Sequence, residues 1–170
     1  MVLNGNFVRK IRANFNSFEN VELFIQIFIL LTVLPLLIKL LSLPRLMKLL
    51  TPNDVKVLNN QDSKSIKEKV VKYTGYILSR NFWIYKAICW KRALVLYHFL
   101  RKAGVNVQIC FGVRLPNIEA KDELEGHAWL IYNGEIFLER DIEMTKTYKA
   151  TYSYPETDGE IIQDPFLKQS

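Results

Sequence analysis

Between Ala87 and Val113 the chain changes its hydrophobic period across a single glycine, and this change restricts the fold more than any other feature. Residues 87–103 (AICWKRALVLYHFLRKA) are rich in good helix formers and end on Arg101 and Lys102, cations suited to the negative end of a helix. Gly104 follows in the position that permits a left-handed cap. Beyond it Val105, Val107, Ile109, Phe111 and Val113 recur at every second residue, the pattern of a strand with one buried face. A polar connector (LPNIEAKDELEG) leads to HAWLIYNGEIFLER, where Asn133-Gly134 separates two apolar runs and predicts a two-residue hairpin turn. Helix, strand, connector and hairpin together imply an α+β fold with a mainly antiparallel sheet. The residues after 145 predict one further strand and a loose end.

The chain reads as three regions: a hydrophobic, basic, helical lead-in over residues 1–50, a polar linker over 51–65, and the main domain over 66–170. Within the lead-in, Leu23–Ile38 carries no charge. At about 16 residues it falls just short of the roughly 17–25 that a membrane-spanning helix needs. Pro35 removes a backbone donor and is expected to bend this helix near its end. Lys39, Arg45 and Lys48 follow among leucines, so the lead-in reads as helices facing an interface or a partner, with a core helix and a membrane span as alternatives. The long start and the lack of a small-x-small site after the apolar run speak against a cleaved signal peptide. Ser63 or Ser65 is expected to cap a helix running through residues 66–80.

The 170 residues are 49% hydrophobic and 24% charged, which excludes a disordered or collagen-like chain. A chain of this length buries roughly 70% of its unfolded surface and needs neither disulfides nor a metal to hold a core. Its two cysteines, Cys89 and Cys110, belong to no C-x-x-C or Cys/His cluster, so no zinc site or disulfide scaffold is expected, and no cofactor either. This usage suits a reducing, cytoplasmic compartment, with membrane association as a further option. The charge is +6, but no basic run interleaves with aromatics as nucleic-acid binding requires. A membrane surface or an acidic peptide fits the charge at least as well.

The candidate chemistry rests on a cysteine and a histidine. Cys89 falls in the first turns of the central helix, where backbone N–H groups and the positive helix end favour a thiolate and can hold an oxyanion. A buried core cysteine is the bland alternative. His127 opens the first hairpin strand, which can deliver an imidazole to that helix start as a general base; a surface histidine at a strand end is the alternative. His98 is a poor candidate, since nine residues set it about 180° around the helix and about 13 Å along it from Cys89. Glu139 and Asp141 are the carboxylates within reach to orient the imidazole. An ideal ladder puts both on the face opposite His127, so either needs a bulge or turn at the strand end. Trp129 shares the strand face of His127 and either walls a substrate cleft or packs in the core. Trp83, six residues before Cys89, lines the cleft or caps the core. Cys110 reads as a small filler on the second sheet face.

Two stretches, CWKRALVLYHFLRKAGVNVQICFGVR and then GHAWLIYNG, resemble the lasso-peptide leader peptidases, the B proteins of lasso-peptide biosynthesis. More broadly, a Cys at a helix start, a strand and then His-Ala-Trp on a hairpin resembles the transglutaminase-like branch of papain-type cysteine enzymes. The resemblance covers about residues 80–142, and the leucine-rich Leu30–Leu50 is similar to the start of those proteins. It implies a papain/transglutaminase-like core and a thiol protease that cuts the leader peptide from a ribosomally made precursor. Cys89 would be the nucleophile and His127 the base. The family's acid stands about twelve residues after the histidine, which here is Glu139 rather than aspartate, with Asp141 two further on. The implied partners are a precursor-recognition protein and an ATP-dependent lasso cyclase. Residues 1–50 are too apolar for a peptide-reading domain, so the recognition protein would be a separate chain, and the lead-in would dock it, the cyclase or a membrane. A transglutaminase-like acyltransferase and a non-catalytic peptide-binding or membrane-associated scaffold are the alternatives.

Overall fold

A computed structural model describes residues 18–53, 60–80, 89–114 and 124–155, and side chains within these ranges except at 60–63. The elements are α1 (Phe18–Leu40), α2 (Leu43–Leu50), α3 (Asn60–Leu78), α4 (Cys89–Lys102), β1 (Gln108–Arg114), β2 (Glu125–Tyr132), β3 (Glu135–Phe137), α5 (Ile142–Lys146) and β4 (Lys149–Tyr154). The sheet has the order β3-β2-β1-β4 with every neighbouring pair antiparallel, so the chain has the α+β fold that its periodicities predict.

Helix α4 is the centre of the molecule. Ala93 to Tyr97, Phe99 and Leu100 are all buried, because the helix is covered on one side by the sheet and on others by helices. Ile109, Ala128 and Leu130 come from the sheet; Ile27, Leu31 and Leu34 from α1; Leu46, Met47 and Leu50 from α2; Val70, Tyr73 and Ile77 from α3. The helix ends as its sequence predicts: Gly104 takes φ +81°, and Val105 N–H donates to Leu100 O at 2.9 Å, closing a Schellman cap. Val105 to Val107 are used up in the reversal, so the strand starts at Gln108 rather than at Val105. Both of its faces are filled in part, with Ile109 on one and Cys110 and Gly112 on the other. Burial pushes the Cys110 thiol up to about 11, which leaves it inert.

Residues 18–50 of the lead-in are built into this core. Helix α1 runs 23 residues, past the charge-free stretch at both ends, and continues five residues beyond Pro35. By length and composition it is sufficient to cross a membrane. Ile27, Leu31 and Leu34, spaced as one helical stripe, are nevertheless fully buried in the shared core, while Ile25, Ile29, Leu36 and Leu40 on other sides are exposed. Helix α3 begins at Asn60, ahead of the expected caps, so Ser63 and Ser65 fall inside it. Intrinsic preference at a helix start is weak, and the packing of Val70, Tyr73 and Ile77 fixes this element.

His98 serves the fold. Its Nδ1–H donates to Leu50 O at 2.7 Å, tying α4 to the end of α2, while Thr51 Oγ1 and the Tyr97 hydroxyl share a hydrogen bond of 2.8 Å beside it. Burial, the largest effect, holds His98 below the ordinary histidine value of 6.5, against the opposing pull of that hydrogen bond. The unfolded chain therefore binds the proton first, and stability present above about pH 6.5 is lost as pH falls. The melting temperature is expected to drop between pH 7 and pH 5. His98→Gln should flatten that slope by up to about 1.4 kcal/mol per pH unit, the limit for one proton.

Candidate active site

Cys89 is the first residue of α4 and is partly exposed. First-turn N–H groups of a helix have no intrahelical acceptor, so the helix start is a natural holder of negative charge. The thiol donates to Gly126 O at 3.8 Å, which sets the sulfur beside the backbone that enters His127. Cys89 and His127 line one cavity of about 470 Å³.

His127 lies opposite Gly112 in the β1–β2 ladder. Its ring stacks on Trp129 at 5.9 Å and 16°, and meets Tyr148 at 5.0 Å and 33°. Trp129 is only 4% exposed and does not line the cavity, so the substrate-wall alternative for it is corrected: it braces the imidazole. The reason lies across the sheet. A Cβ on Gly112 would stand 2.7 Å from the Trp129 ring and 2.6 Å from Lys149 O, so glycine there is what lets the indole lie flat over β1. The pairing of β1 with β4 also shifts register between Phe111 and Gly112.

Among the described residues two groups face His127 Nε2, each at 3.5 Å: Glu139 Oε2 and Thr145 Oγ1. At this separation the Glu139 contact is electrostatic rather than a full hydrogen bond, a length common in unliganded sites. The Thr145 hydroxyl spends its proton on Asp141 O at 2.7 Å, so it presents lone pairs to the ring. Both neighbours of Nε2 are thus acceptors. That assigns the neutral-ring proton to Nε2 and leaves the lone pair on Nδ1, available to a thiol.

Glu139 reaches the ring because the hairpin ends early. Asn133 and Gly134 take φ 52° and 81°, the predicted turn, and the ladder runs through Tyr132↔Glu135, Ile131↔Ile136 and Leu130↔Phe137. At Leu138 φ becomes +58°, which breaks the alternation and swings Glu139 in. Arg92 fixes that turn: it donates to Leu138 O at 2.6 Å and pairs with Glu139 Oε1 at 3.3 Å. Arg92 stands three residues after Cys89, on the adjoining part of the same helix face.

Asp141 lies elsewhere. It is exposed, and its carboxylate accepts from Met144 N–H at 2.9 Å as the N-cap of α5. As a partner for His127 it is corrected, because the turn at Leu138 spends the chain's inward excursion on Glu139. Trp83 lies outside the described residues.

Arg92, Thr145 and Tyr148 were not singled out from sequence as members of this site. The position of Arg92, one turn after Cys89, is a usable signal; Thr145 and Tyr148 depend on how α5 and β4 return to the sheet. Tyr148 also belongs to a latch beside the His127 ring. Its hydroxyl donates to Glu125 at 3.3 Å, burial raises its phenol, and Arg114 stacks over its ring while pairing with Glu125 at 3.0 Å. Arg114 and Glu125 are register partners, so the latch clamps the end of the β1–β2 pair next to His127. No group of His, Cys, Asp and Glu among the described residues could hold a metal ion.

Residues 30–153 match the family model described as the transglutaminase-like superfamily. No curated protein and no solved structure matches the chain.

Proposed function

This chain belongs to the transglutaminase-like superfamily, whose members are typically cysteine-dependent enzymes of protease or acyl-transfer type, and from that premise we propose that it is a cysteine peptidase removing the leader from a ribosomally made lasso-peptide precursor. One observation supports the reading above others. Cys89, at the start of the buried central helix, opens on the same cavity as His127, whose far nitrogen is backed by Glu139.

In this mechanism Nδ1 of His127 takes the thiol proton and the Cys89 sulfur attacks the carbonyl at the end of the leader. N–H groups at the start of α4 receive the developing oxyanion. Glu139 stabilises the imidazolium so formed, as the carboxylate of a triad does. His127 then protonates the departing amine of the core peptide, leaving a thioester on Cys89. Water, deprotonated by His127, hydrolyses it and returns the thiol.

The substrate on this reading is the precursor's leader peptide, presented by a separate recognition protein and followed by an ATP-dependent cyclase. The exposed apolar side of α1 (Ile25, Ile29, Leu36, Leu40) is the surface we assign to contact with such a partner or with lipid. Incubating the full chain with a linear precursor and its recognition protein, and weighing the products, tests the proposal. Two fragments that sum to the precursor plus one water are expected. A product carrying an added amine in place of water would make the chain an acyltransferase, and an unchanged precursor would leave a non-catalytic scaffold.

A further inference from the structure

Most of the cavity beside Cys89 is built by residues that do no chemistry. Ile38, Leu41, Leu43 and Leu46, around the elbow between α1 and α2, form one part of its wall, and Phe111 and Val113 of β1 form another. Among the described residues lining it there is no lysine, arginine, aspartate or glutamate. Ile38 is 37% exposed, and Leu41, Leu43, Phe111 and Val113 are incompletely buried. The elbow stands off the sheet and leaves apolar surface open at the point where the nucleophile emerges.

We infer that this cavity is the specificity pocket of the Cys89 site, and that it takes a large aliphatic or aromatic side chain from the residue whose carbonyl the thiol attacks. The inference rests on the peptidase reading and adds the class of residue accepted. A volume of about 470 Å³ is ample for one bulky side chain and the backbone that carries it. A charged side chain would meet no opposite charge among the described lining residues and would give up part of its water. A glycine or alanine would leave the walls without contacts. The lead-in thereby supplies part of the substrate site, in addition to its share of the core.

Alkylation of Cys89 in the full chain, followed by intact mass and peptide mapping, tests the pocket without needing the natural substrate. The probes are iodoacetamide and N-hexyl iodoacetamide; in both the sulfur displaces iodide and the thiol proton passes to solvent. Buried Cys110 contributes no signal at neutral pH. The hexyl reagent is expected to label Cys89 at least fivefold faster than iodoacetamide. Leu43→Asp and Ile38→Asp should each lower that ratio at least threefold. Ile38 is near the surface, so its variant reads the pocket even where Leu43→Asp fails to fold. A ratio below five in the unaltered chain, or one that Ile38→Asp lowers less than threefold, overturns the proposal. Precursor cleavage with a low ratio would remove the pocket and leave the peptidase reading standing. A high ratio in a chain that cleaves no precursor would do the reverse.

Discussion

Cys89→Ala is expected to abolish precursor cleavage, by at least about 10⁴-fold, while leaving the fold in place. Among the described residues the thiol makes only a weak donation, to Gly126 O at 3.8 Å, and the side chain is partly exposed, so little packing is lost. Alanine is also the best helix former, so α4 keeps its start. The loss in rate should be near complete because the proposed reaction divides one difficult step into two through a thioester, and alanine cannot form it. Mass spectrometry of the precursor reads the cleavage, and a melting curve within a few degrees of the unaltered chain shows that folding is intact. Retained cleavage in this variant would remove the thiol mechanism.

The second large effect falls on the acid. Glu139→Gln is expected to slow cleavage about 10²- to 10⁴-fold, because an amide can donate to Nε2 and so shift the ring proton to Nδ1, the nitrogen that must accept from the thiol. It also breaks the ion pair with Arg92 at 3.3 Å, so some thermal stability should be lost with it. Asp141→Ala provides the contrast. It removes the side-chain cap of α5 and should cost about 1 kcal/mol of stability, within the usual range for such caps, with the cleavage rate unchanged. A large rate loss in Asp141→Ala with normal rates in Glu139→Gln would reverse the assignment of the third residue.

Much of this arrangement is legible in the sequence, and the parts that are not have identifiable physical causes. The central helix, its glycine cap, the strands and the Asn133-Gly134 turn each carry a local signal, in period, cap or turn chemistry, and each forms, although β1 starts later than its alternation, at Gln108, and β3 stops at Phe137. Glu139 stands at a suggestive spacing from His127, but its route inward depends on a leucine at positive φ. Leucine gives no sign of such a conformation, since it is held there by Arg92 from a distant helix. Period-two alternation puts Trp129 on the face of His127 without telling whether that face is open or covered; the bare backbone of Gly112 decides it. In the lead-in nearly every residue of α1 is apolar, so no polar face marks the side that Ile27, Leu31 and Leu34 bury. A helix that greasy looks like an appendage until its neighbours are known.

Arg92 and Cys89 occupy a single helical turn, about 4.5 Å apart along the axis, and this has a mechanical outcome. The guanidinium grips the loop that carries Glu139, so a tilt of the helix start drags the carboxylate in the same direction. Cys89 and Glu139 are thereby tied to one helix turn, and breathing of the sheet against the helix is expected to leave their mutual spacing nearly constant.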